Sequence, residues 1–186
     1  MIEGEAAAAA ASGGLLGDII LDAIARHGDA TAYIDEGDGE TSYRAFGEMV
    51  ARALHKLDRL GLPRGATVAQ ISENCTRQYA LMAAAYIGGY RSLTLHAMGG
   101  REDQLYILRD SGARILVGGP GRTADAASLA REAGIACLAH LDDDALDPFW
   151  TGPEASPALP KCAIGETEDI VRLAYTGGTT GRPEGV

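Results

Sequence analysis

Apolar residues recur every three or four positions in several stretches of the chain, a spacing that places them on one face of an α-helix. The clearest stretches are 15–27, which ends at Gly28, and 43–60, which ends at Gly61 and Pro63. The second has an apolar face formed by Tyr43, Phe46, Val50, Leu54, Leu57 and Leu60. Similar patterns predict helices over 76–89, from 101 to about 108, and over 123–133 before Gly134.

Short apolar runs lie between these helices and predict β-strands. They are Thr31–Asp35, Thr67–Ile71, Ser92–Leu95, Arg114–Val117, Ile135–Ala139 and Ile170–Tyr175. Because strands that alternate with helices form β-α-β units, the chain is predicted to be an α/β protein with a mainly parallel sheet flanked by helices.

Local signals predict several boundaries of these elements. The E-G-D-G-E segment at 36–40 is expected to form a turn. Ser42 is positioned to cap the helix that follows it, because its hydroxyl can accept a hydrogen bond from a free N–H of the first turn. Asn74 or Thr76 is the corresponding prediction for the helix over 76–89.

The 186 residues are enough for one domain, and two stretches lie outside the periodic pattern. Residues 1–14 are rich in alanine and predict a low-complexity tail, whereas 15–186 form the domain. Residues 142–165 contain four prolines and predict a long surface loop. We interpret the Asp142–Asp144 run within it as a solvated loop, so no metal site is predicted.

Charge and cysteine content exclude several classes of partner. A net charge of −10 argues against nucleic acid, which selects basic surfaces. No apolar run approaches the roughly 20 residues of a membrane span, so no transmembrane segment is expected. The three cysteines, Cys75, Cys137 and Cys162, are widely spaced and typical of a reducing compartment, which predicts a cytoplasmic protein.

The candidate chemistry lies at 175–186, in the sequence Y-T-G-G-T-T-G-R-P-E-G-V. Glycines allow the backbone to turn successive N–H groups toward one point, where they can bind phosphate oxygens. Threonine hydroxyls add donors at the same place. The segment matches neither the Walker loop nor the dinucleotide G-x-G-x-x-G pattern.

This order of residues resembles the phosphate loop of the adenylate-forming enzymes, which is commonly Y-T-S-G-T-T-G-x-P-K-G-V. Gly177 replaces the usual serine and Glu184 the usual lysine. Three upstream segments, which begin at Thr41, Gly61 and Leu93, resemble successive opening blocks of acyl-CoA synthetases in the same order. The last block is closer to fatty-acid and aryl-acid CoA ligases than to amino-acid-activating domains.

The resemblance implies the N-terminal subdomain of an enzyme that activates a carboxylic acid with MgATP and transfers it to coenzyme A. It implies a phosphate-binding role for Thr176, Gly177, Gly178, Thr179, Thr180 and Gly181, with Glu184 beside them. The catalytic residues, the acyl pocket and the contacts to adenine and Mg²⁺ are expected beyond Val186. The 186 residues alone are therefore expected to be inactive.

Two alternatives to this interpretation stay open. Glu184 favours a non-catalytic nucleotide-binding relative, because it places a negative charge beside a loop for polyanions. An amino-acid-activating adenylation domain is the other alternative. A homodimer is also expected, because the end of the chain after the phosphate loop predicts uncovered apolar surface.

Overall fold

The computed structural model describes residues 14–36, 39–135, 137–140, 158–176 and 183–186, with only the backbone described for 137–140. Residues 1–13 of the predicted tail (1–14) and 142–157 of the predicted loop (142–165) lie outside the described residues. The helices are α1 (Leu16–His27), α2 (Tyr43–Arg59), α3 (Thr76–Ile87), α4 (Arg101–Asp110) and α5 (Thr123–Ala133). The strands are β1 (Thr31–Asp35), β2 (Gly39–Ser42), β3 (Thr67–Ile71), β4 (Arg91–Leu95), β5 (Ala113–Gly118), β6 (Cys137–His140), β7 (Arg172–Leu173), β8 (Tyr175–Thr176) and β9 (Glu184–Gly185).

The main sheet has five strands in the order β6-β5-β3-β4-β7, and every neighbouring pair is parallel. This confirms the predicted α/β class. The central strand β3 is buried along its whole length, as expected for a strand covered by helices on both faces. Its register is set by pairs such as Val68 with Ser92 on one side and with Ile115 on the other.

Two apolar layers pack against opposite faces of this sheet. Alternation along β5 directs Ile115 and Val117 to one layer and Leu116 to the other. Helices α1, α2 and α3 cover the first face, with Val50 and Leu57 fully buried there. Helices α4 and α5 cover the second through Leu108 and Leu129. The predicted packing of the helices over 43–60 and 76–89 is confirmed.

Strands β1 and β2 form a separate antiparallel hairpin, which corrects one detail of the sequence prediction. Gly39 and Glu40 belong to β2 and not to the predicted turn; the polar composition of β2 concealed it. Ser42 caps α2 as predicted, by accepting a hydrogen bond from the Ala45 N–H at 3.2 Å.

The predicted cap of α3 is wrong. Neither Asn74 nor Thr76 caps the helix; instead, the Asp35 carboxylate at the end of β1 accepts hydrogen bonds from the Thr76 N–H at 3.0 and 3.2 Å. A carboxylate satisfies a free N–H and complements the positive end of the helix dipole more strongly than a hydroxyl or an amide.

The predicted strand over Ile170–Tyr175 is divided in the structure. Arg172 and Leu173 form β7 and pair with Ser92 and Leu93 of the main sheet. Tyr175 and Thr176 form β8, which pairs with β9 in an antiparallel hairpin. The strand therefore joins the sheet only briefly before the chain enters the hairpin.

Within the described ranges, none of the helices combines the length and the apolar character needed to cross a membrane.

Candidate phosphate-binding hairpin

The β8–β9 hairpin encloses the segment that the sequence identified as a phosphate loop. Thr176 lies opposite Glu184 and Tyr175 opposite Gly185. Two further backbone hydrogen bonds, of 2.9 and 2.8 Å, join Ala174 and Val186 in both directions. Of the predicted site residues, the structure thus brings Thr176 and Glu184 together, whereas Gly177, Gly178, Thr179, Thr180 and Gly181 lie outside the described residues.

The direction of β7 determines where this hairpin begins. β7 runs parallel to β4, and a single residue, Ala174, separates its carboxyl end from the start of β8. Ligands of open α/β sheets bind outside the carboxyl ends of the strands. The hairpin therefore starts where this architecture commonly places a ligand.

The two faces of the hairpin differ in chemistry. Residues directly opposite each other in an antiparallel pair project to the same face. Thr176 and Glu184 share one face and are both exposed. Tyr175 and Gly185 share the other, where Tyr175 packs against the apolar layer beneath α4 and α5. The polar face is thus free for a ligand while the opposite face contacts the domain.

Tyr175 fixes the hairpin to α4. Its hydroxyl donates a hydrogen bond of 2.6 Å to Oδ2 of Asp110, and the Tyr106 hydroxyl donates one of 3.4 Å to Oδ1 of the same carboxylate. Burial and the hydrogen bond to the negative Asp110 raise the pKa of Tyr175 well above its ordinary value. The tyrosine consequently stays a neutral donor at physiological pH.

Gly185 permits this arrangement. A Cβ added there would lie 2.9 Å from Cζ of the Tyr175 ring, which is closer than real Cβ contacts. A glycine is therefore required by close packing beneath the tyrosine ring. Sequence reasoning did not single out Gly185 or Asp110; no local pattern connects Asp110 to a tyrosine 65 residues away.

Histidine and metal-ligating side chains outside the hairpin are the other groups that could carry chemistry. His96 accepts a hydrogen bond from the Met98 N–H at its Nδ1 atom, at 3.2 Å. Among the described residues, no group of three or more His, Cys, Asp or Glu side chains is arranged to hold a metal ion.

Comparison with known proteins gives several relatives. The chain is 25% identical to a medium/long-chain-fatty-acid–CoA ligase, FadD8, of Mycobacterium tuberculosis, over 91% of this chain and 31% of the ligase. It is 29% identical to 4-coumarate–CoA ligase 5 of Oryza sativa subsp. japonica, over 92% of this chain and 32% of that enzyme. It is 30% identical to the phosphinothricin tripeptide synthetase PhsB of Streptomyces viridochromogenes, over 85% of this chain and 12% of the synthetase. The chain thus spans a third or less of the length of these relatives.

The fold agrees with these relationships. The anthranilate CoA ligase AuaEII, solved in complex with anthranoyl-AMP, superposes with a TM-score of 0.79 at 21% identity, over 92% of this chain and 34% of that one. The model of the AMP-binding enzyme family matches residues 21–186, a range that includes the parallel sheet and the whole hairpin. The chain therefore belongs to the AMP-binding enzyme family.

Proposed function

We propose that this chain is the N-terminal, phosphate-binding part of an ATP-dependent acyl-CoA synthetase that acts on a fatty or aryl carboxylic acid. The observation that carries the proposal is the β8–β9 hairpin, which holds the ends of a Gly/Thr loop together beyond the carboxyl end of β7. Relatives named as fatty-acid and 4-coumarate CoA ligases support the substrate class.

In this proposal, ATP supplies the activating group, because a carboxylate attacks its α-phosphate and releases pyrophosphate. The Thr176 hydroxyl and the loop that follows it, Gly177, Gly178, Thr179, Thr180 and Gly181, would hold the β and γ phosphates. Donors fixed where negative charge accumulates stabilise the transition state more than the ground state. The donors of this segment, hydroxyls and glycine amides, fit such a group.

The described residues do not provide a carboxylate set for Mg²⁺. In this proposal the ion enters with the phosphates of ATP, and its protein ligands are expected beyond Val186 on the basis of the family resemblance. Coenzyme A is proposed as the acceptor of the acyl group on the same family basis. A cytoplasmic location and a homodimer stay predictions; Ile170, which is 60% exposed, is a candidate for the dimer contact.

The test is carboxylate-dependent exchange of labelled pyrophosphate into ATP, measured with the full product of the gene. Thr176→Ala should lower exchange at least about tenfold, as the loss of a positioned donor does at other sites of charge stabilisation. Thr167→Ala, at another exposed threonine, is the matched control and should leave exchange unchanged. The 186-residue chain alone should show no exchange above background. It contributes only the proposed phosphate-binding residues, which do not by themselves position both ATP and the carboxylate.

A second candidate, an amino-acid-activating domain, is favoured by the 30% identity to a tripeptide synthetase. Exchange supported by amino acids, and not by fatty or aryl acids, would replace the first proposal with this one. A full gene product with no exchange for any carboxylate, but with ATP binding, would instead favour a non-catalytic relative.

A further inference from the structure

A concavity of about 530 Å³ lies at the amino ends of the strands of the main sheet, at the edge opposite to the one where the hairpin begins. Its walls come from the residues that precede or begin β3, β4, β5 and β6, together with the last turns of α4 and α5. It lies outside the phosphate-binding hairpin and shares no residue with it.

Four arginines line this concavity: Arg64, Arg91, Arg109 and Arg114. Its lining contains no aspartate or glutamate, although the protein as a whole carries a net charge of −10. The concavity therefore concentrates positive charge in a protein whose net charge is negative.

These arginines differ from most others in the described part of the chain. Arg26, Arg44, Arg52, Arg101 and Arg122 each form an ion pair with a carboxylate. No carboxylate of the described residues lies within 4.0 Å of the four guanidinium groups in the concavity. Their charge is available to a ligand.

Two of the four guanidinium groups are held in place by backbone carbonyls. Nε of Arg91 donates to the Gly65 carbonyl at 2.6 Å, and Nη2 of Arg109 donates to the Glu132 carbonyl at 2.7 Å. Each guanidinium has five N–H donors, so most donors of both groups remain for a ligand. A planar guanidinium group that is already held in place loses little conformational entropy when it binds a phosphate.

We propose that this concavity is a binding site for a small anion with two or more phosphate groups, such as inorganic pyrophosphate or the phosphate tail of a nucleotide. Its volume lies in the range of small-molecule sites, roughly 300–1,000 Å³. It contains no aromatic side chain on which a base could stack, so the phosphates are the recognised group. Guanidinium groups bind phosphate oxygens through charge-assisted, often paired hydrogen bonds.

An alternative role for the arginines is to offset the negative carboxyl ends of α4 and α5, which contribute to the same walls. That role requires no ligand. It predicts that removing the charges lowers stability and changes no anion binding, whereas the proposal predicts a change in binding.

The experiment is calorimetric titration of the folded 186-residue protein with inorganic pyrophosphate at low and moderate salt. The double variant Arg64→Gln/Arg114→Gln removes two exposed charges and keeps the two arginines that are bonded to the backbone. Arg59→Gln/Arg131→Gln is the matched control, with the same change in charge at exposed sites outside the concavity. The first variant should bind at least about tenfold more weakly and the control as the parent does, with affinity falling as salt rises.

A second measurement locates the ligand without any variant. Gly65, Gly112 and Gly134 belong to the walls, and their amide resonances should shift as pyrophosphate is added. Shifts confined to Thr176, Glu184 and the loop between them would assign binding to the hairpin and overturn the proposal. Equal binding by both double variants, or loss of thermal stability without loss of binding, would also overturn it.

Discussion

The centre of the main sheet and its β7 edge are held by different forces. In the centre, Ile115, Leu116 and Val117 are fully buried between two helical layers. At the edge, β7 has two residues in register with β4, and the hairpin after it depends on the Tyr175–Asp110 hydrogen bond and on close packing at Gly185. Apolar burial is non-directional and tolerant, whereas a single hydrogen bond requires one geometry. Burial at the centre therefore dominates the stability of the domain, whereas the contacts at the edge position Tyr175 and Thr176, where the proposed phosphate loop begins.

The largest difference should appear when one side chain is shortened in each region. Leu116→Ala should lower the free energy of unfolding by about 2–5 kcal/mol, because Leu116 is fully buried and its truncation leaves a cavity in the core. Ile170→Ala, at a residue that is 60% exposed, should cost about 1 kcal/mol or less. Urea denaturation of both variants measures this, and equal losses would contradict the distinction between centre and edge.

The same contrast explains what the sequence could predict. The buried strands and the helices that cover them carry repeating apolar patterns, so their order and approximate bounds followed from local spacing. β2 has the sequence G-E-T-S, which has no apolar pattern, because the hairpin it forms with β1 lies outside the main sheet. The pairing of β2 with β1 therefore could not be predicted from the spacing of apolar residues.

Contacts between distant residues were likewise not predictable. Asp35 caps a helix that begins 41 residues later, and Asp110 binds a tyrosine 65 residues later. Each depends on the assembled fold. The Gly/Thr loop was recognisable in the sequence because its characteristic residues are consecutive. The pairing of Thr176 with Glu184 in a hairpin was not predicted.

The next effect concerns the close packing at the edge. Gly185→Ala would place a Cβ 2.9 Å from the Tyr175 ring, so the ring must move and its bond to Asp110 must weaken. We expect a local cost of about 1–3 kcal/mol, as for other overpacked sites. Amide exchange of Val186, whose N–H bonds to Ala174, reports this opening directly.

Gly100→Ala is the control for this substitution, because an added Cβ there would make an ordinary contact of 3.5 Å with Asp103. Faster exchange at Val186 is expected only in Gly185→Ala. Unchanged exchange in that variant would show that the tyrosine ring adjusts without releasing the hairpin.

A smaller effect is expected from the charge on the ligand face. Glu184 shares that face with Thr176, and in the proposed function its negative charge would repel the phosphates of ATP. Two unit charges at about 4 Å interact by roughly 1 kcal/mol in water and about 4 kcal/mol near a protein surface. In the full gene product, Glu184→Lys should tighten ATP or raise the rate of adenylation about tenfold, equivalent to about 1.4 kcal/mol.

Steady-state pyrophosphate release at varied ATP, at low and moderate salt, measures this change. Glu168→Lys, at another exposed glutamate, makes the same change in charge away from the hairpin and should have little effect. Identical kinetics for Glu184→Lys and the parent at both salt concentrations would show that Glu184 does not affect phosphate binding. That result would remove the main reason to consider a non-catalytic relative.

The smallest effect should come from the Tyr175 hydroxyl alone. Tyr175→Phe keeps the ring and removes its hydrogen bond to Asp110, a bond to a charged acceptor worth about 1.5–3 kcal/mol when buried and less at this partly exposed site. Part of that loss is regained because Asp110 can turn to water. We therefore expect a decrease of about 1 kcal/mol in hairpin stability, again measured by amide exchange of Val186.

The dependence on pH separates the hydroxyl from the ring. The folded-state pKa of Tyr175 is raised above its ordinary value of 10.0, chiefly by burial and then by the bond to Asp110. An acid whose pKa is higher in the folded state contributes stability that is fully present below its unfolded pKa and is lost as pH rises above it. The parent should therefore lose hairpin protection more steeply than Tyr175→Phe above a pH of about 10. Other tyrosines with a raised pKa, such as the partly buried Tyr33 and the buried Tyr86, contribute equally to both proteins and cancel in the difference. Parallel curves for the two proteins across this range would mean that the Tyr175 hydroxyl does not hold the hairpin against α4.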